Sequence, residues 1–306
     1  MRDLRQRTIH SILLACCATA ALTAQSVEEL SERLVGLTAV SGYESAVTDA
    51  LLEDLPEAER DRAGNVVLIL GTGAPKRLVA CPIDEWGYIV GAITDEGYLR
   101  LRRVGNGAPA LFDQSHEGHR VSVQGREGQV PGVVSIPSTH LMRGRTLTDR
   151  PFHVDDAFVD LGASSRDEVR DLGVDLLDAV AIEKLPHRYG TSLLAAPFAG
   201  ERGACAALAY ALQQRPAVSG TVVAAFLVES RLDHRGLSAV GLLRGPFTAT
   251  RLLGYPETSE DFSTERFGPT DRRELSASYE DLAIETIDLD EVRALADETL
   301  AWMEGR

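Results

Sequence analysis

The amino-acid sequence predicts an α/β domain interrupted in its middle by a smaller β-rich domain. Three observations carry the prediction. The chain opens and closes on apolar residues at helical spacing, with continuous apolar runs that read as buried strands. From about Gly87 to Glu183 these give way to short alternating segments separated by glycine-rich turns. The 306 residues suffice for two domains, or for one large α/β domain.

Ser26-Val27-Glu28-Glu29 has capping-box spacing, and Leu30, Leu34 and Leu37 follow at helical intervals. Ser41-Gly42-Tyr43-Glu44 breaks that helix and starts another, with Val47, Leu51 and Leu52 on one face. Asp61-Arg62-Ala63-Gly64-Asn65 is turn chemistry, followed by the strand run Val66 to Leu70 and a second strand from Arg77 to Ile83. In the middle region, Tyr98 to Arg102 and Val121 to Val123 alternate, and Gly125, Gly128 and Gly132 keep the turn rhythm. One helix interrupts it, Ser165 to Leu172, with Asp167 and Glu168 in its first turn. After His187 the α/β texture returns with an Ala/Leu helix, Gly203 to Gln214, and a central-strand run, Thr221 to Val228. Asp288 and Glu291 cap a final helix whose Val292, Leu295 and Met303 share a face.

Composition narrows the function. Lys and Arg number 31 against 46 Asp and Glu, a formal net charge of −15, which argues against nucleic acid and anionic membrane surfaces as partners. Aromatic residues are 6%, too few to suggest a base-stacking platform. Arg2, Arg5 and Arg7 precede a short apolar run, Ile12 to Ala24, with small residues before Gln25, the pattern of a secretory signal peptide over residues 1–24. The expectation is an exported protein, periplasmic or extracellular, and Leu13-Leu14-Ala15-Cys16 raises the minor alternative of a lipoprotein. Cleavage would remove Cys16 and Cys17 and leave Cys81 and Cys205, which read as small buried hydrophobes, an oxidised pair staying open.

Several stretches carry a family resemblance. Ser41-Gly42-Tyr43-Glu44, the Asp61–Asn65 turn, Asp84-Glu85-Trp86-Gly87-Tyr88-Ile89-Val90, Val130-Pro131-Gly132-Val133-Val134, Asp160-Leu161-Gly162-Ala163-Ser164-Ser165 and Glu285-Thr286-Ile287-Asp288 occur in this order. Together they resemble metallopeptidase family forty-two, the glutamyl and deblocking aminopeptidases of tetrahedral type. The resemblance implies a phosphorylase/hydrolase-like zinc-peptidase domain, a mixed sheet flanked by helices, formed by residues 25–86 and 186–306. Inserted in it, residues 87–185 would form a small β-barrel-like dimerisation domain, so a homo-oligomer is expected.

The resemblance also says where metal ligands should stand, and this chain departs from it there. The first ligand, a His in the family, falls on Pro82; the bridging Asp falls on Gly200, in Gly200-Glu201-Arg202; the second of two paired glutamates falls on Ser230; the distal His falls near Asp281. Glu229 matches the general base, and Asp84 the residue that orients the first His. A two-metal peptidase needs nitrogen and carboxylate donors converging on ions about 3.5–4 Å apart, so loss of several together removes the site. The expectation is a non-catalytic binding or structural protein without cofactor, with a peptide or protein ligand.

The alternative is a hydrolase with a rebuilt or single-metal site, holding zinc or cobalt with Asp84, Glu229, Asp233 and His234. Against it stands the plainer reading of a capping carboxylate at Asp84 and a solvated charged loop over Glu229–Gly236. His116 and His119 in Ser115-His116-Glu117-Gly118-His119 have ligand-like spacing but are expected to face solvent. Ser138-Thr139-His140 assembles into no nucleophilic triad, and no GxSxG elbow, P-loop or dinucleotide fingerprint occurs.

Overall fold

The computed structural model describes residues 25–109, 111–116, 118–135, 153–255, 262–280 and 282–306. The signal-peptide segment 1–24, Glu117, Ser138-Thr139-His140 and Asp281 lie outside the described residues. In chain order the elements are α1 (Val27–Val35), α2 (Ser45–Asp54), β1 (Glu59–Arg60), β2 (Val66–Gly71) and β3 (Lys76–Pro82). Then come β4 (Gly87–Ile93), β5 (Leu99–Val104), β6 (Arg120–Gly125), β7 (Gly128–Ser135), β8 (Phe158–Asp160), α3 (Arg166–Asp171) and β9 (Ala179–Ile182). β10 (His187–Tyr189), β11 (Leu193–Ala196), α4 (Ala199–Gln213), β12 (Thr221–Leu227), α5 (Arg235–Arg244) and β13 (Ala249–Leu253) follow. The chain ends with α6 (Thr264–Phe267), β14 (Thr270–Arg273), β15 (Glu285–Asp288) and α7 (Leu289–Glu304).

A six-stranded mixed sheet, ordered β1-β2-β12-β3-β13-β14, forms the α/β part. β3 lies parallel between β12 and β13, while β2 is antiparallel to β12. The apolar run of β12 is continuous because both faces of the strand are covered. Val222, Ala224 and Phe226 join the core with α1, α4 and α7; Val223, Ala225 and Leu227 join the opposite core with Leu237, Val240 and Phe247. Fully buried Leu30 and Leu34 fix α1 on the first face, each contributing about 1.5–3 kcal/mol. The Ser26–Glu29 capping box is present, Glu29 N donating to Ser26 Oγ at 3.2 Å and Ser26 N to Glu29 Oε2 at 2.9 Å. A second sheet, β10-β11-β15, is antiparallel.

β4-β5-β8-β7-β6-β9 close into a barrel, which the glycine-punctuated short strands foreshadow. Its strands run from Gly87 to Ile182, around a core that includes Tyr88, Val90, Leu99, Val123 and Val159. His116 is buried in that core at 3% exposure and does not face solvent, correcting the sequence expectation. It packs edge-on against Tyr88 and Phe112, its Nδ1 lies 2.7 Å from Phe112 O, and burial pushes its imidazole down to about 4.

The cysteine reading also changes. Cys81 and Cys205 are both fully buried, but they form a disulfide between β3 and α4, with Cα atoms 5.6 Å apart. Spacing could not reveal this pair, because it depends on α4 crossing β3 at a sequence separation of 124. α4 begins at Ala199, ahead of the expected Gly203. Phe198 enters it from a left-handed conformation (φ 58°), which puts Glu201 and Arg202 in the first turn.

Candidate functional site

Parallel β3 and β12 end at the same edge of the sheet, the edge at which open α/β sheets carry ligands. The sequence segments Pro82–Trp86 and Val228–Arg231 leave these strand ends, and the first turn of α4 meets them. The quoted Asp61–Asn65 turn braces this edge. Buried Asn65 accepts from Val228 N (3.0 Å) and donates to Gly236 O (3.1 Å). A Cβ at Gly236 would lie 2.3 Å from Val228 O, so only glycine allows the approach.

Asp84 is 1% exposed. Its Oδ2 accepts from Arg231 N at 2.8 Å and from the Ser41 hydroxyl, which is the backbone-capping role expected for it; Oδ1 has no hydrogen-bond partner. Glu85, fully buried, accepts from Lys184 Nζ (2.6 Å), Arg202 Nη2 (3.1 Å) and Ala39 N (3.2 Å). Burial pushes the Lys184 ammonium below its ordinary value; Glu85 opposes that shift and Arg202 adds to it.

Arg231 is the residue that sequence reasoning missed. Its guanidinium lies 3.6 Å from the Trp86 ring centre and donates to both carboxylate oxygens of Glu201. Burial raises the Glu201 carboxyl against the opposing pull of Arg231. Glu285 accepts from Gly200 N (3.0 Å), and burial, reinforced by Glu201, pushes it up to about 7. Glu44 accepts from Gly42 N (2.8 Å) and Glu229 N (2.9 Å); burial, with Asp84 adding, pushes it up to about 7 as well. Tyr255 lies against Ser230, Asp84, Arg231 and Glu201, and burial shifts its phenol upward.

The structure therefore brings Asp84, Ser230, Gly200 and the end of β3 at Pro82 to one edge, together with Glu201, Arg231, Tyr255 and Glu285. It does not gather the alternative set. Glu229 (φ 51°) pairs with Arg235 at 3.0 Å, Asp233 (φ 57°) accepts from Asn106 at 3.0 Å, and His234 (φ 54°) packs edge-on to Phe262 with ring centres 5.2 Å apart. Three left-handed residues within one short loop are a store of backbone strain, about 1–3 kcal/mol each. Arginine in the Glu229–Gly236 run reads as solvated charge. Its long-range partners, Glu201, Asp84, Trp86 and Asn106, distinguish Arg231 from Arg235.

Comparison with known proteins agrees with this architecture. A family model described as M42 glutamyl aminopeptidase matches residues 64–240, more than half of the chain. The putative aminopeptidase FrvX of Escherichia coli is 30% identical over 213 residues, 68% of this chain and 58% of that protein. The putative aminopeptidase SgcX of the same organism is 32% identical over 190 residues, 60% and 50% respectively. The chain thus spans about half the length of the curated relatives it matches. Among solved structures, a TET aminopeptidase from a marine-sediment Thaumarchaeota archaeon superposes with TM-score 0.77 at 17% identity, over 91% of this chain and 96% of that one. The TET1 peptidase of Pyrococcus horikoshii, described as assembling into a tetrahedron or a large octahedral shell, gives TM-score 0.75 at 19% identity over 91% and 99%. These likenesses support the fold, and the family match covers both the strand ends of the site and the barrel: the chain belongs to the M42 glutamyl aminopeptidase family.

Proposed function

We propose that this chain is an exported member of its family that has lost the two-metal centre and acts as a non-catalytic binding or structural protein. The observation that carries the reading is the set of side chains at the shared edge of β3, β12 and α4. Pro82 has no lone pair to give, Gly200 has no side chain, Ser230 offers a neutral hydroxyl, and Arg231 takes up the neighbouring carboxylates, its guanidinium pairing with Glu201 and its backbone N with Asp84. Such donors do not fit two ions a few ångströms apart. Glycine is not required at position 200 by packing at Cβ, since a Cβ there would meet nothing closer than 3.5 Å. Glu229, at the general-base position, holds Arg235 instead.

Export is supported by the amino-terminal pattern and by the Cys81–Cys205 disulfide, which suits an oxidising compartment. Homo-oligomerisation is supported by the assemblies described for the TET neighbours and by exposed Leu172, Leu176 and Leu177 beside the barrel. The ligand we favour is a peptide or protein. The test is incubation with zinc or cobalt followed by elemental analysis, alongside hydrolysis of aminoacyl anilides. No stoichiometric metal and no turnover are expected. Bound metal with aminopeptidase turnover would overturn the proposal and favour the rebuilt-site alternative.

A further inference from the structure

Arg231 is held through its backbone, its ring contact and its Nη2. Its backbone N donates to Asp84, its carbonyl accepts from Asn106 N at 2.7 Å, and Trp86, which carries the guanidinium on its ring, donates through Nε1 to Asn106 O at 2.8 Å. The loop after β5 closes on this arrangement at Gly105 (φ +95°), where a Cβ would lie 2.9 Å from both Arg231 Cβ and the Trp86 ring. The barrel thus clamps the arginine stem into the α/β part. Burial favours the neutral guanidine, but Glu201 and Asp84 outweigh it and keep the charge in place. Around it, Asp84 Oδ1 and the Nε of Arg231 itself are buried polar atoms with no hydrogen-bond partner.

We propose that the Arg231 guanidinium is the resident cation of this site, replacing metal ions as the positive charge that holds the Glu201 carboxylate at the shared edge of β3, β12 and α4, with Asp84 seated on the backbone N of the same residue. The inference rests on the metal-free reading above and adds to it. One guanidinium nitrogen, Nη2, serves both Glu201 oxygens while the planar group lies on the Trp86 ring, a stacking that a lysine ammonium does not reproduce. The site is therefore assembled by folding alone, and chelators leave it intact.

The experiment compares thermal unfolding of the full chain and its R231A variant, each with EDTA, zinc, methylguanidinium or methylammonium at millimolar concentration. Wild type is expected to hold no stoichiometric zinc and to show the same Tm in all four. R231A is expected to unfold about 5 °C or more lower, since a largely desolvated charge pair is broken. Methylguanidinium should restore part of that loss by occupying the vacated space, and methylammonium should not. If R231A does not fold, R231M, which keeps an apolar stem on Trp86, should show the same deficit. Stoichiometric zinc on wild type would overturn the metal-free reading together with this inference. A metal-free wild type with R231A or R231M equally stable, or with methylammonium rescuing as well as methylguanidinium, would overturn this inference alone.

Discussion

Replacing Glu85 by glutamine tests the most deeply buried charges near the site. Glu85 is fully buried against Lys184 at 2.6 Å and Arg202 at 3.1 Å, both cations themselves nearly inaccessible. At an effective dielectric of about 20, those separations give gross attractions of about 6 and about 5 kcal/mol, which offset the desolvation of three ions. Glutamine keeps the shape and can still accept from Ala39 N, but it leaves two buried cations without an anion. The net cost expected for such a break is about 3–5 kcal/mol. A chain of this size loses about 2 °C of Tm per kcal/mol, so Glu85→Gln should unfold roughly 6–10 °C lower. Lys184→Met is the internal control, because it leaves a neutral Glu85–Arg202 pair and removes the cation whose charge burial already opposes. Its deficit should be less than half that of Glu85→Gln in thermal and urea unfolding. Equal stability of Glu85→Gln and wild type, or a larger loss in Lys184→Met, would refute the reasoning.

Further expectations follow from the same geometry. Glu44 and Glu285 have folded values of about 7 against 4.5 in the unfolded chain, so the folded state binds their protons more tightly. Their contribution is full below about pH 4.5 and is lost as pH rises through 7; Glu44→Gln and Glu285→Gln should flatten the fall in urea-unfolding stability between about pH 5 and 8, and an unchanged slope would count against the burial argument. Under non-reducing conditions the denatured protein should show no free thiol from Cys81 or Cys205, and Cys81→Ala with Cys205→Ala should cost about 2–5 kcal/mol, since the bridge closes a long loop. Leu172→Asp with Leu176→Asp should weaken self-association in sedimentation without lowering Tm by more than a few degrees; an unchanged sedimentation coefficient would point to another interface.

Much of the architecture is legible in the sequence because local chemistry and tertiary demand agree there. The run Thr221–Val228 carries apolar residues on both faces, and the sheet buries both. Ser26 and Glu29 sit at capping-box spacing, and the box forms. The short glycine-punctuated segments after Gly87 close into the barrel. What escapes the sequence depends on distant partners. Burial of His116 requires Tyr88 and Phe112 to wrap it inside the barrel. The disulfide requires α4 to lie across β3. Arg231 looks like any cation in a polar loop until the ends of β3 and α4 bring Asp84 and Glu201 to it, 147 and 30 positions away. Asp84 shows the intermediate case: its capping role follows from its position after a strand, whereas its neighbour Glu85 becomes a buried anion only because Lys184 and Arg202 arrive from elsewhere.

The central claim is that the edge formed by Pro82, Asp84, Gly200, Ser230 and Arg231 is built without a metal. Its most direct test is elemental analysis of the purified full chain after equilibration with zinc or cobalt and removal of free ions. The account predicts no stoichiometric metal and an unfolding temperature indifferent to chelator; bound zinc or cobalt approaching one ion per chain, lost on dialysis against chelator with a fall in Tm, would contradict it.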